Sequence, residues 1–79
     1  MKSRPDSNYM ETIKINDDKE FITLGQLLKI EGIIYTGGEA KAYLLENTVL
    51  VENERETRRG RKLYRNMEVV INETTYKLI

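Results

Sequence analysis

Apolar and polar positions alternate from Met10 to Asn16, with Glu11, Ile13 and Ile15 on one face and Met10, Thr12, Lys14 and Asn16 on the other. A period of two belongs to a strand, and so sparse an apolar face suits an edge strand. Asp17-Asp18 behind it reads as a turn. Two helix starts follow, each a threonine with an amide or carboxylate three residues on: Thr23 with Gln26, and Thr36 with Glu39. In such a capping box the hydroxyl accepts from the N3 amide and the N3 side chain accepts from the cap's own amide. Leu24, Leu27 and Leu28 stripe the first helix, which Gly32 can end through a left-handed cap; Ala40, Tyr43 and Leu44 stripe the second, which Asn47 can end. Beyond Asn47 the pattern shortens to strands at Val49 to Glu52, Glu68 to Asn72 and Thr75 to Ile79. A turn falls near Asn53 and Glu54, a basic loop spans 58–62, and Asn72 to Thr74 suits a hairpin. The expected fold is α+β, two consecutive helices packed on a small antiparallel sheet. Residues 1–8 show no periodicity and are expected to form a mobile tail ahead of a single domain over residues 9–79.

Composition narrows the chemistry. A chain of 79 residues buries only about 60% of its unfolded surface. It has no Cys and no His, so thiolate metal sites, disulfides and the commonest general base are unavailable. Apolar runs such as Ile33-Ile34-Tyr35 are far too short to cross a bilayer, and the polar start resembles no signal segment. A cytoplasmic protein without membrane partners, cofactor, metal or catalytic residues is expected.

The formal charge is zero, but it is unevenly placed. Residues 1–54 carry 6 basic and 10 acidic groups, and residues 55–79 carry 7 basic and 3 acidic. Local field governs binding more than total charge does. In Arg58-Arg59-Gly60-Arg61-Lys62 four cations surround one glycine, flanked by Arg55 and Arg65 and opposed only by Glu56. Guanidinium forks contact phosphate oxygens in pairs and stay charged, which suits a polyphosphate backbone. The same pentamer would also serve as a solvated loop. Thr36-Gly37-Gly38-Glu39-Ala40-Lys41 opens the second helix. There, free amides attract anions, glycines admit a phosphate to the backbone, and Lys41 adds charge. A capped helix entered through a glycine turn explains the same residues. Tyr35, Tyr43 and Tyr64 could stack on unpaired bases; Tyr43 lies on the apolar stripe and is expected to be buried, and Tyr64 stays open.

From Thr23 to about Ile71 the run "ITLGQLLK…TGGEAKAYLLEN…VLVENE…ETRRGRKL" resembles the RNA-binding domain named after ribosomal protein S-four, the αL motif, and looks most like its short bacterial members of the YaaA type. The resemblance implies that Leu24, Leu28, Ala40, Val49 and Val51 are core positions. It also implies that RNA lies along the start of the second helix, with Lys41 and the arginine loop touching its backbone. Where many members carry arginine at the start of each helix, this chain has Thr23 and Gly37, so the 58–62 loop must compensate.

The function expected is non-catalytic binding to the backbone of structured RNA, ribosomal or tRNA-like, through Thr36, Gly37, Gly38, Lys41, Arg55, Arg58, Arg59, Arg61 and Lys62. The competing expectation is a protein-interaction module whose basic face meets an acidic partner of the ribosome or replication machinery. DNA binding is weaker, because the second helix sets only Lys41 against Glu39 and Glu46.

Overall fold

Alternation builds the larger sheet. The computed structural model describes residues 9–79, and the mobile tail expected over residues 1–8 lies outside them. Strands β1 (Tyr9–Ile13), β3 (Val49–Val51), β4 (Glu54–Arg55), β6 (Glu68–Ile71) and β7 (Thr74–Leu78) form one sheet in the order β1-β7-β6-β3-β4. Every second residue faces the core: Val49 and Val51, Val69 and Ile71, Tyr76 and Leu78 are all buried. Register lines them up, Val51 opposite Val69 and Val69 opposite Tyr76. Val51 pairs with Glu54 across a two-residue turn whose residues, Glu52 and Asn53, both have positive φ, the backbone that closes a twisted hairpin. The Asn72-Glu73 turn joins β6 and β7, with Asn72 at φ 59°.

The helices begin where the capping boxes predict. Helix α1 (Leu24–Ile30) has Thr23 as N-cap with both reciprocal hydrogen bonds, and α2 (Gly37–Glu46) has the same pair from Thr36 and Glu39. Gly32, at φ 73°, ends α1: its amide donates to Lys29 O, and Ile33 N donates to Leu28 O, the double bond of a glycine-terminated helix. Asn47 ends α2 differently, in extended backbone, its amide and its side-chain Nδ2 both donating to Tyr43 O. The side-chain bond holds the last turn while the chain runs straight into β3. Leu24, Leu27, Leu28, Ala40 and Leu44 are buried, and Tyr43 packs half-buried against the core.

The sheet departs from the expected antiparallel arrangement. β1 lies parallel to β7, Ile13 opposite Leu78, and the ladder runs on through Ile15 N to Ile79 O. A parallel pair needs a long crossover; here nearly the whole chain intervenes, so no local turn signal announces it. A second sheet, the two-stranded ribbon of β2 (Phe21–Thr23) and β5 (Lys62–Tyr64), is also new. Three-residue strands are too short to show a period. Leu63, fully buried, seats the ribbon in the core. Among the described residues no helix is long and apolar enough to cross a membrane.

Arg65 clamps the connection between β1 and β2. Its Nη1 donates to Lys19 O at 3.0 Å and its Nη2 to Ile15 O and Asn16 O, each at 2.9 Å. The Asp17-Asp18 turn sits inside this connection, with Lys14 Nζ 3.6 Å from Asp17. The bonds are charge-assisted but partly solvated, so Arg65→Ala should cost about 1–3 kcal/mol in urea denaturation. Arg65→Lys, which keeps the charge but not the fork, should recover less than half of that; full recovery by Lys would show that charge alone matters.

Candidate functional site

The basic loop is organised by a carboxylate. Glu56 follows β4, is 6% exposed, and its amide donates to Val49 O. Its Oε2 accepts from the amides of Thr57 and Arg58 and from Arg58 Nε, each at 3.0 Å. Its Oε1 accepts from Arg58 Nη2 at 3.2 Å and Arg61 Nη1 at 3.0 Å. Five donors on one carboxylate hold it ionised: the Arg58 guanidinium first, then the Arg58 amide and Arg61, outweigh burial and bring the pKa to about 2. The cover is thin, since the Arg58 side chain is itself 75% exposed, so water screens the pair.

The shaped loop then caps α1. Leu24 N donates to Arg61 O and Gly25 N to Arg59 O, both at 2.9 Å, while Gln26 N donates to Thr23 Oγ1. The first three amides of α1 are thereby satisfied and offer nothing to an anion. Gly25 eases the contact: a Cβ there would lie 3.3 Å from Arg59 O and 3.4 Å from Arg59 Cβ, so the loop would have to give by a few tenths of an ångström.

Arg59 reaches from α1 to α2. A Cβ on Gly37 would lie 2.7 Å from Arg59 Nη1, so the guanidinium rests against the bare first turn of α2. Lys41, Gly38, Thr57 and Arg59 line one hollow of about 300 Å³. On the other side of Arg59, a second hollow reaches Thr23, Gln26 and Lys29. Among the described residues no carboxylate pairs with Arg59 or Lys41. Thr36 is occupied in capping, and Glu39, whose carboxylate accepts from the amides of Tyr35 and Thr36, is held below the usual carboxylate range by those two bonds. Among the described residues no protein acceptor takes the amides of Gly37 and Gly38, leaving them beside two cations.

The remaining sequence candidates divide. Arg58 and Arg61 join the loop but share Glu56. Lys62 begins β5 with its Nζ 4.9 Å from the centre of the Phe21 ring. Arg55 stands apart, its Nη2 near Leu45 O at 3.4 Å, at the far end of α2, where a cation suits the helix dipole. Glu56 was legible in sequence only as an opposing charge; its role as organiser had no local signal. Thr57 and Gly25 carry no local sequence signal of their places in the site. Among the described residues no cluster of His, Cys, Asp or Glu could hold a metal ion.

The model of the S4 domain matches residues 13–79. Over 50 residues the chain is 56% identical to the Bacillus subtilis (strain 168) "Probable ribosome maturation protein RlbA", covering 63% of this chain and 70% of that protein. No solved structure matches it significantly.

The Glu56 network implies a pH dependence with a definite sign. A depressed folded pKa stabilises above the unfolded value of 4.5, and that contribution is lost as pH falls towards about 2. Allowing for screening, the loss across this window should be on the order of 2 kcal/mol. Denaturation of Glu56→Gln should show a similar deficit at neutral pH and a flatter profile through the window; parallel profiles for variant and wild type would remove Glu56 from the account.

Proposed function

The chain belongs to the S4 domain family, and on that premise we propose that it is a non-catalytic RNA-binding protein that contacts the phosphate backbone of structured ribosomal RNA. In this view α1, α2 and β3 constitute the αL motif, residues 9–79 act as one RNA-binding domain, and the protein works in the bacterial cytoplasm during ribosome maturation, as the name of its B. subtilis relative suggests. The observation that carries it is the placement of Arg59 across the first turn of α2, beside Lys41 and the amides of Gly37 and Gly38. Two cations and Gly38, at the positive end of a helix dipole, then face one hollow, while Gly37 lines the neighbouring hollow that Arg59 also borders, an arrangement that suits a phosphate. Successive phosphates would reach Arg58, Arg61 and Lys62, whose guanidinium and ammonium groups keep donors beyond those used inside the protein.

One observation favours a second reading, binding of an acidic protein segment. A hollow on the other side of α1 is lined by Lys14, Lys19 and Lys29 with Ile22 and Ile30, a cationic rim on an apolar floor. Purified protein and ribosomal RNA fragments, with nothing else present, separate the two.

In that assay Arg59→Glu and Lys41→Glu should each weaken binding about tenfold or more and lower the slope of log K against log salt by about 0.7–0.9 per lost phosphate contact. Neither side chain holds the loop together, so the variants should fold. Unchanged affinity and slope in both would sink the backbone-binding site.

A further inference from the structure

We infer that Tyr64 is the platform of a subsite for one unpaired nucleobase, occupied when an RNA strand lies along the arginine loop. The inference rests on the RNA-binding reading above and adds to it a ligand feature that phosphate contacts cannot supply.

The geometry begins with the pleat of β5. Leu63 points into the core, so Lys62 and Tyr64 point out, and Tyr64 remains 45% exposed. Its strand partner across the ribbon is Phe21. The two rings lie 5.7 Å apart at 54°, a tilted packing that fixes the tyrosine ring without covering it. Lys62 occupies the Phe21 ring, so that the aromatic surface left for a ligand is that of Tyr64. Met67 ties the residue from behind: Tyr64 N donates to Met67 Sδ and Met67 N to Tyr64 O, each at 3.1 Å. These bonds fix the Tyr64 backbone, and the Phe21 ring packed against its side chain reduces the rotamer freedom to be lost on binding.

Tyr64 is also one wall of a groove of about 690 Å³ that runs to the loop, lined further by Arg58, Gly60, Arg61, Lys62 and Met67. That volume is ample for a nucleotide. No acidic side chain lines it, and three cations do. An aromatic face at one end and phosphate-seeking groups along the side are the two components of single-strand recognition, stacking and backbone neutralisation. Paired bases inside a duplex keep their faces covered, whereas a bulged or looped-out base presents one. The structure therefore favours RNA that carries an extrahelical nucleotide over an uninterrupted helix. An exposed tyrosine kept only for ribbon packing would make no such distinction.

The test compares a blunt RNA duplex with the same duplex carrying a single unpaired adenosine. Wild type and Tyr64→Phe should prefer the bulged RNA by roughly 5- to 150-fold, the range expected of one base stacked on an aromatic ring. Tyr64→Leu, which keeps an apolar contact to Phe21, should bind both RNAs as wild type binds the duplex. The chain has no Trp, so Tyr64→Trp installs a single indole whose emission should be quenched by the bulged RNA and much less by the duplex. Preference retained in Tyr64→Leu, or an indole indifferent to the bulge, overturns the subsite and leaves backbone binding intact. Failure of wild type to bind either RNA overturns both.

Discussion

A carboxylate with five hydrogen-bond donors around it is a rigid object, and Glu56 is that object in this chain. Its bonds shape residues 57–61, the shape presents the carbonyls of Arg59 and Arg61 to the start of α1, and that docking aims the Arg59 side chain at α2. Without the anion, Arg58 and Arg61 would repel each other and the loop would have no reason to adopt one conformation. Ordering about five loop residues costs roughly 1–2 kcal/mol each in backbone entropy, an amount that charge-assisted bonds of about 1.5–3 kcal/mol each can offset.

The same carboxylate redistributes charge. It offsets part of the charge of Arg58 and Arg61, whereas Arg59 and Lys41 have no carboxylate partner among the described residues. A cluster of arginines on a mobile loop would present more formal charge but would have to be ordered anew at each encounter, at a cost of about 0.5–1.5 kcal/mol per side chain. Pre-ordering exchanges part of the attraction for a smaller entropic penalty. Two acidic residues are built into this region, Glu56 in the loop and Glu39 in the first turn of α2, and the carboxylates of both are engaged by backbone amides.

Elements whose chemistry is contained within a few residues were legible in sequence. Both capping boxes, the Gly32 terminus and the Asn72 hairpin follow from hydrogen-bonding and backbone rules that span at most four or five positions. What escaped depends on distant parts of the chain. The parallel pairing of β1 with β7 joins residues at the two ends of the fold, the Arg65 clamp spans 46 to 50 residues, and β2 and β5 are too short to show a period. In the candidate site, composition identified the cations but could not sort them. Arg55 and Arg65 looked like flanks of one cluster, yet one lies at the far end of α2 and the other is engaged with three carbonyls.

Gly37 shows how sequence and tertiary structure compensate for one another. Resemblance to relatives with arginine at the start of the second helix makes a glycine there look like a lost phosphate contact. In the folded chain the Arg59 guanidinium, delivered from a loop more than twenty residues away, rests where a Cβ at position 37 would lie, so a side chain there would have to push its flexible tip aside. Glycine at 37 leaves room for the Arg59 guanidinium, and Gly25 lets the Arg59 backbone approach the start of α1 closely. An arginine introduced at 37 would add a second cation where the first already sits, and by steric exclusion and like-charge repulsion it would displace the Arg59 guanidinium rather than reinforce it.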